Sequence, residues 1–186
     1  MPKVRDMQLF YATRDGQSRR IAERIAAGLA RRNLTVQPQN LADGIPAPRT
    51  LAEEGPVVLV AAVRYGRHLK EAERFLTAYG ALSAPPSLVL LSVNLTARKP
   101  GKDTASGNAY LRKTINRHAL RPALAAAIAG RLEYPRYGWL DRQVIRFIMM
   151  LTGGPTDLRT CVEYTPWDKV DEVAMRIADL CPPPTS

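Results

Sequence analysis

The sequence predicts a doubly wound α/β fold: a five-stranded parallel sheet, helices on both faces, and a long insertion before the last helix. Three observations predict it. Short, nearly continuous apolar runs occupy residues 7–12, 57–63 and 87–94, and such runs mark strands buried on both faces of a sheet. Stretches with one apolar helical side alternate with them, which calls for parallel strands joined by right-handed crossovers. The chain is 46% apolar but only 6% aromatic. Alanine, leucine and valine must therefore do the packing, as in Ala-rich helices on a Val/Leu-rich sheet. A length of 186 residues suits a single domain, 1–186, with a sizeable core.

In chain order, M-Q-L-F-Y-A at 7–12 is the first strand, and the polar loop 13–18 follows it. A helix over 18–32 presents Ile21, Ile25 and Leu29 at four-residue spacing. Residues 34–38 form a short second strand, placed near an edge by its polar residues and Pro38. Residues 42–56 are a Pro/Gly-rich connection. V-V-L-V-A-A-V at 57–63 is the central strand, 64–68 a loop and 70–81 a helix. S-L-V-L-L-S-V-N at 87–94 is the next strand. A basic loop over 98–108 and a helix over 109–119 follow. Residues 123–132 are helix or strand by periodicity alone, and their place in the alternation favours the fifth strand. Residues 167–180 close the chain as a helix with Val170, Val173, Ala174, Ile177 and Leu180 on one face. The tail over 182–186 is expected to be disordered. The stretch between the fifth strand and the last helix is too long for an ordinary connection and reads as a functional insertion.

The formal charge is +10 and the pI about 10.1. Nucleic acid, an anionic membrane surface and an acidic small molecule are the partners such an excess suits, beside a merely solvated basic surface. Cys161 and Cys181 stand far apart with no C-x-x-C or C-x-x-H spacing, so no metal site is expected and the two read as free cytosolic thiols. Residues 1–6 are charged and do not read as a secretory signal. No run reaches the ~20 apolar residues that span a bilayer, so a soluble or peripheral protein is expected.

The sharpest local signal is L-F-Y-A-T-R-D-G-Q-S at 9–18. It lies at a strand end and opens a helix, where unpaired amides and the helix dipole favour an anion. Thr13 and Ser18 add hydroxyls, and Gly16 permits close backbone approach. The loop is neither a dinucleotide fingerprint nor a P-loop. It resembles the flavodoxin signature, with Tyr11 as the aromatic, Thr13 and Ser18 as the hydroxyls and Gly16 as the glycine. Serine stands where flavodoxins usually carry threonine. The plainer alternative is a helix capped by Ser18. In this architecture ligands sit beyond the C-terminal strand ends, at the switch in strand order. Arg64, Tyr65 and Gly66 after the third strand, and Ser92, Val93, Asn94 and Leu95 after the fourth, would then flank a flavin ring. Tyr65 would stack on it, and Asn94 would bond its edge.

Four stretches, T-R-D-G-Q-S (13–18), R-Y-G (64–66), S-V-N-L-T-A-R-K-P (92–100) and Y-P-R-Y-G-W-L-D-R (134–142) continuing to T-G-G-P-T-D (152–157), together resemble the flavodoxin-like, menaquinone-dependent protoporphyrinogen dehydrogenases. The resemblance covers nearly the whole chain. It implies non-covalently bound FMN, oxidation of protoporphyrinogen IX to protoporphyrin IX in successive two-electron steps, and delivery of electrons to menaquinone or another respiratory quinone. The setting would be haem biosynthesis at the cytoplasmic face of the cell membrane. It further implies phosphate contacts from Arg14, Asp15, Gly16, Gln17 and Ser18, and an activity-bearing insertion over about 134–164.

The chemistry suits the residues. The substrate carries propionates, which arginine binds bidentately, and cations crowd the segment 98–146. Arg98, Lys99, Arg136, Arg142 and Arg146 are the candidates for substrate or membrane contact. Residues 139–151 make a helix too short to span, with Leu140, Val144, Phe147, Ile148 and Leu151 on one side and Ile145, Met149 and Met150 widening it. Such a helix lies in a membrane interface or packs on the domain. The flavin would accept the hydride, so no nucleophile is required and no catalytic acid or base is assigned. His68 reads as a surface histidine in the loop at 64–68. The competing functions are a long-chain flavodoxin electron carrier, an FMN-dependent quinone reductase and a nucleic-acid-binding module. Carriers tend to be acidic, which counts against the first; no nucleic-acid partner is expected.

Overall fold

The computed structural model describes residues 7–53 and 55–181. The expectations for residues 1–6 and for the 182–186 tail lie outside the described residues. The elements run β1 (Gln8–Ala12), α1 (Gln17–Ala30), β2 (Pro38–Asn40), α2 (Pro48–Leu51), β3 (Val57–Arg64), β4 (Arg67–His68), α3 (Lys70–Gly80), β5 (Leu88–Val93), α4 (Ala109–Arg117), β6 (Leu124–Ile128), β7 (Arg131–Glu133), α5 (Trp139–Leu151), β8 (Cys161–Glu163) and α6 (Trp167–Asp179). Single 3-10 turns stand at Leu95–Arg98 and Tyr134–Arg136.

The parallel strands lie in the order β2-β1-β3-β5-β6. The chain moves outward from β1 to β2, then crosses back to β3 on the other side of β1. The switch point, where ligands bind in open α/β sheets, is therefore between β1 and β3. Side chains alternate between faces because the strand period is two. Leu9, Tyr11, Val58, Val60, Val89 and Leu91 pack under α1 and α6. Phe10, Ala12, Val57, Leu59, Ala61, Leu88 and Leu90 pack under α2, α3 and α4. Both faces are covered, which is why these strands read as unbroken apolar runs.

Several boundaries depart from the sequence expectations. The second strand is not 34–38 but Pro38–Asn40. Leu34 and Val36 pack on the core outside the ladder, and Pro38, with no amide to donate, takes the first position of an edge strand. The 42–56 connection contains the short α2. Residues 64–68 are not a loop. β3 runs on to Arg64 and turns back into β4, pairing Val63 with His68 and Arg64 with Arg67. Tyr65 and Gly66 make the two-residue turn at φ 50° and 77°, the positive-φ geometry that fits strand twist in hairpins. The fifth parallel strand ends at Ile128. The chain then leaves the sheet as β7 and pairs antiparallel with β8.

Close helix packing depends on one glycine. A Cβ on Gly28 of α1 would lie 2.8 Å from the Cβ of Ala174 on α6, and neither a backbone nor an alanine yields easily. Gly28→Ala gains roughly 1 kcal/mol of helix propensity but overpacks this contact by about 1–3 kcal/mol. The expected result is a lower urea midpoint with unchanged cofactor affinity. A raised midpoint would show that the helices separate freely.

Between β7 and β8 lies a small core of its own, formed by Leu132, Tyr134, Tyr137 and Met149. Tyr134 donates from its hydroxyl to Pro155 O at 2.9 Å. Met149, which the sequence placed on the broad apolar side of its helix, turns inward and is fully buried. Ile145 packs on the same small core, while Leu140 at 70%, Phe147 at 57% and Leu151 at 68% exposed face outward, as does Trp139 at 71%. No helix among the described residues is long and apolar enough to cross a membrane.

Candidate cofactor site

A cavity of about 440 Å³ opens at the C-terminal ends of β1, β3 and β5, where the sheet order switches. Its floor and walls come from residues 13–18, from Arg64, Tyr65 and Gly66, and from Val93, Asn94 and Leu95. Twelve of the thirteen residues expected to hold the flavin thus meet around one space. Ser92 is the exception. It points into β5's packing, where its hydroxyl meets His68 Nε2 at 2.9 Å and accepts from Asn94 Nδ2 at 3.0 Å.

The loop after β1 is built for an anion. Gly16, at φ 88°, is the N-cap of α1, so Ser18 is not the cap. Thr13 Oγ1 accepts from the Gly16 amide at 3.0 Å and closes the turn. Among the described residues no side chain caps the helix, and no acidic residue occupies its first turn. Its first amides are left for a ligand. Ser18 is fully buried on the cavity wall, and its Oγ has no hydrogen-bond partner among the described residues. A buried hydroxyl without a partner is costly, and a phosphate oxygen in the cavity would satisfy it.

Other expected contacts are committed elsewhere. Gln17 donates to Glu163 Oε1 at 2.9 Å and to Thr165 Oγ1 at 2.8 Å, pinning β8 to the start of α1. Asn94 accepts from the Ala97 amide at 3.1 Å and from Asn108 Nδ2 at 3.1 Å. Its side chain thus holds its own loop in shape rather than reaching out. Tyr65 is more than half exposed at the rim. A bulky residue at φ 50° is strained, a feature that collects at ligand sites.

His68 is not a surface residue. It lies on β4, nearly fully buried, between Thr114 Oγ1 at 2.9 Å and Ser92 Oγ at 2.9 Å. Burial lowers its pKa to about 4, so it stays neutral, and it does not line the cavity. Of the five basic candidates only Arg136 reaches the cavity rim. Arg98 donates to Leu95 O at 2.7 Å and covers the Tyr164 ring at 5.6 Å. Arg142 donates to Tyr137 O at 3.1 Å. Lys99 and Arg146 do not line the cavity.

The resemblance implied that the stretch from Leu90 through the insertion supplies the remaining flavin contacts, but apart from Arg136 it named none of the residues on the wall that folds in from there. Arg131, Glu133, Tyr137, Ile145 and Ile148 line the cavity, as do Arg19, Arg20 and Tyr110. Tyr137 is buried, and burial raises its pKa. No local pattern marks these positions. The available signals were regional: an insertion too long to be a connection, and a resemblance that implied flavin contacts along it.

The family model of the flavodoxin domain matches residues 8–159. That sets the class of protein to which fold and cavity belong. A flavodoxin of Bacillus cereus superposes with a TM-score of 0.56 at 10% identity, over 93% of this chain and 97% of its own. The protoporphyrinogen IX dehydrogenase [quinone] of Escherichia coli strain K12 is 39% identical over 178 residues, 95% of this chain and 97% of that protein. The protein of the same name from Leishmania major is 38% identical over 174 residues, 92% of this chain and 74% of that protein. The chain belongs to the flavodoxin-domain family and, within it, to the protoporphyrinogen IX dehydrogenase [quinone] family of oxidoreductases. The cofactor of this class is FMN, and the open helix N-terminus with the unpaired Ser18 hydroxyl fits its phosphate.

Proposed function

We propose that the protein oxidises protoporphyrinogen IX to protoporphyrin IX with FMN and passes the electrons to a membrane quinone, menaquinone or ubiquinone, in haem biosynthesis. The observation that carries the proposal is the composite cavity: one wall is the anion loop of residues 13–18, and the other is the insertion.

FMN, when bound, supplies two-electron acceptance from the substrate and donation to the quinone. The chain's residues position and shield. Residues 13–18 hold the phosphate, with Ser18 donating to it. Tyr65 covers the rim. Tyr137, Ile145 and Ile148 exclude water beside the ring. Arg136, exposed and 3.6 Å from Glu133, meets a substrate propionate. Arg142 and Arg146 stand on α5 beside its exposed apolar side.

In this reading the protein is peripheral at the cytoplasmic face of an anionic membrane, and the exposed apolar side of α5 supports it. Trp139, Leu140, Phe147, Met150 and Leu151 are all more than half exposed. A helix of this kind lies in the interface with its basic residues at headgroup level. Replacing Phe147 and Leu151 by Glu removes about 1.5–3 kcal/mol of apolar burial each. Flotation with vesicles of phosphatidylglycerol is expected to fall more than about tenfold. Unchanged flotation would mean that the helix packs elsewhere.

The activity is tested anaerobically with FMN, protoporphyrinogen IX and a menaquinone analogue, following porphyrin fluorescence. Quinone-dependent growth that disappears without FMN is expected. If FMN binds and no porphyrin forms above the uncatalysed rate, an electron carrier or an FMN-dependent quinone reductase replaces this reading.

A further inference from the structure

Three stretches that lie far apart in the chain each send one residue to a single ion-pair centre. Arg64 Nη1 donates to Asp15 Oδ2 at 2.8 Å, and Arg64 Nη2 donates to Asp141 Oδ2. The Arg64 side chain is only 14% exposed. Its guanidinium lies 5.4 Å from the Tyr137 ring centre and 5.6 Å from that of Tyr65. Asp15 belongs to the loop whose amides face the cavity. Asp141 lies in the first turn of α5, where a carboxylate also suits the helix dipole. The same helix puts Ile145 and Ile148 on the far wall. A planar guanidinium fork fixes two carboxylates relative to one another, which a freely rotating ammonium does not.

We propose that Arg64 is a positioning residue that couples filling of the anion loop to docking of α5 on the cavity. The proposal rests on the FMN reading above and extends it from where the cofactor sits to what its binding does. An anion in the loop orders residues 13–18 and with them Asp15. An ordered Asp15 holds Arg64, and Arg64 holds Asp141 with α5. The wall beside the ring, and the exposed apolar side of the same helix, are then set in place only when the cofactor is. Coupling is reciprocal: whatever α5 gains from FMN, FMN gains from α5. Asp141 therefore contributes to FMN affinity although it does not line the cavity.

The test uses the full chain, with FMN titrated by loss of its fluorescence and α5 followed by amide hydrogen exchange. In the parent protein FMN is expected to slow exchange of the α5 amides about tenfold more than in Asp141→Asn, a coupling of ordinary size. Asp141→Asn is expected to weaken FMN by the same factor. Asp15→Asn added to it should cost less than about a further twofold, because both carboxylates act through one guanidinium. Arg64→Lys keeps the charge without the fork and is expected to match Asp141→Asn, which guards against a variant that simply misfolds. If FMN binds and protects α5 equally in the parent and Asp141→Asn, the coupling is overturned while the FMN reading stands. If FMN does not bind the parent, both fall.

Discussion

Ser18→Ala is expected to weaken FMN binding about 10- to 100-fold while leaving the apo-protein at least as stable as its parent. The two effects have opposite signs because one atom causes both. The Ser18 hydroxyl is buried without a partner among the described residues, and leaving it so costs about 1–3 kcal/mol. Alanine removes the stranded donor and is also the better helix former. With FMN bound, the hydroxyl donates to a charged phosphate oxygen, a bond worth about 1.5–3 kcal/mol. That range converts to the expected loss at about 1.4 kcal/mol per tenfold. Fluorescence titration gives the affinity, and urea unfolding of the apo-protein gives the stability. If both decline together, the hydroxyl has a structural role and the anion site lies elsewhere. Gly16→Ala makes a useful contrast. Nothing lies within 4 Å of a Cβ there, but φ is +88°, so this variant is expected to lose stability and affinity together.

The difference between Ser18 and its neighbours shows what the sequence could and could not reveal. The anion loop was legible because its function is local: a strand end, a glycine at positive φ and two hydroxyls fall within a few residues. The central strands were legible for a similar reason, since burial on both faces writes an unbroken apolar run. β2 was misplaced because Leu34 and Val36 pack on the core without joining the ladder. The β3–β4 hairpin was hidden because its turn is Tyr-Gly, and tyrosine does not advertise a positive φ. Arg64 was assigned to the flavin from its place after the third strand and from the R-Y-G match; it lines the cavity, and the fold also gives it two carboxylates that are remote in sequence. The insertion as a whole was expected at the flavin, but Tyr137, Ile145 and Ile148 could not be singled out, because they reach the cavity only after the insertion closes through β7 and β8. Local chemistry can be read from a sequence, but a wall assembled by tertiary folding cannot.

His68 is the clearest case of chemistry that only burial creates, and it sets the second large effect. Acidification from about pH 7 to about pH 4 is expected to remove roughly 3 kcal/mol of stability through this residue. Burial is the main cause of its low pKa. Glu73 opposes the shift, and Arg117 and His118 reinforce it. An unfolded histidine titrates near 6.5, whereas the folded one titrates at about 4. Between those values the unfolded chain binds more protons than the native one. Stability is therefore complete above the unfolded value and is lost as pH falls through the folded one. The hydrogen bonds agree with a neutral ring. A neutral ring donates from one nitrogen and accepts at the other, which the two hydroxyls at 2.9 Å, Thr114 at Nδ1 and Ser92 at Nε2, can satisfy. A protonated ring has no lone pair to accept a hydroxyl proton. Protonation must turn away from the ring whichever hydroxyl, of Ser92 or Thr114, donates to it, and Asn94, which lines the cavity and shapes the β5 loop, is bonded to Ser92 Oγ. Acid should consequently release FMN in parallel with the loss of stability. The measurement is the urea midpoint across that pH range for the parent and for His68→Gln, compared by slope rather than by absolute value. A shallower slope in the variant is expected, together with a His68 ring resonance that titrates near 4 rather than 6.5. Equal slopes, or a ring that titrates at the ordinary value, would mean that water reaches His68 and that acid acts through other groups.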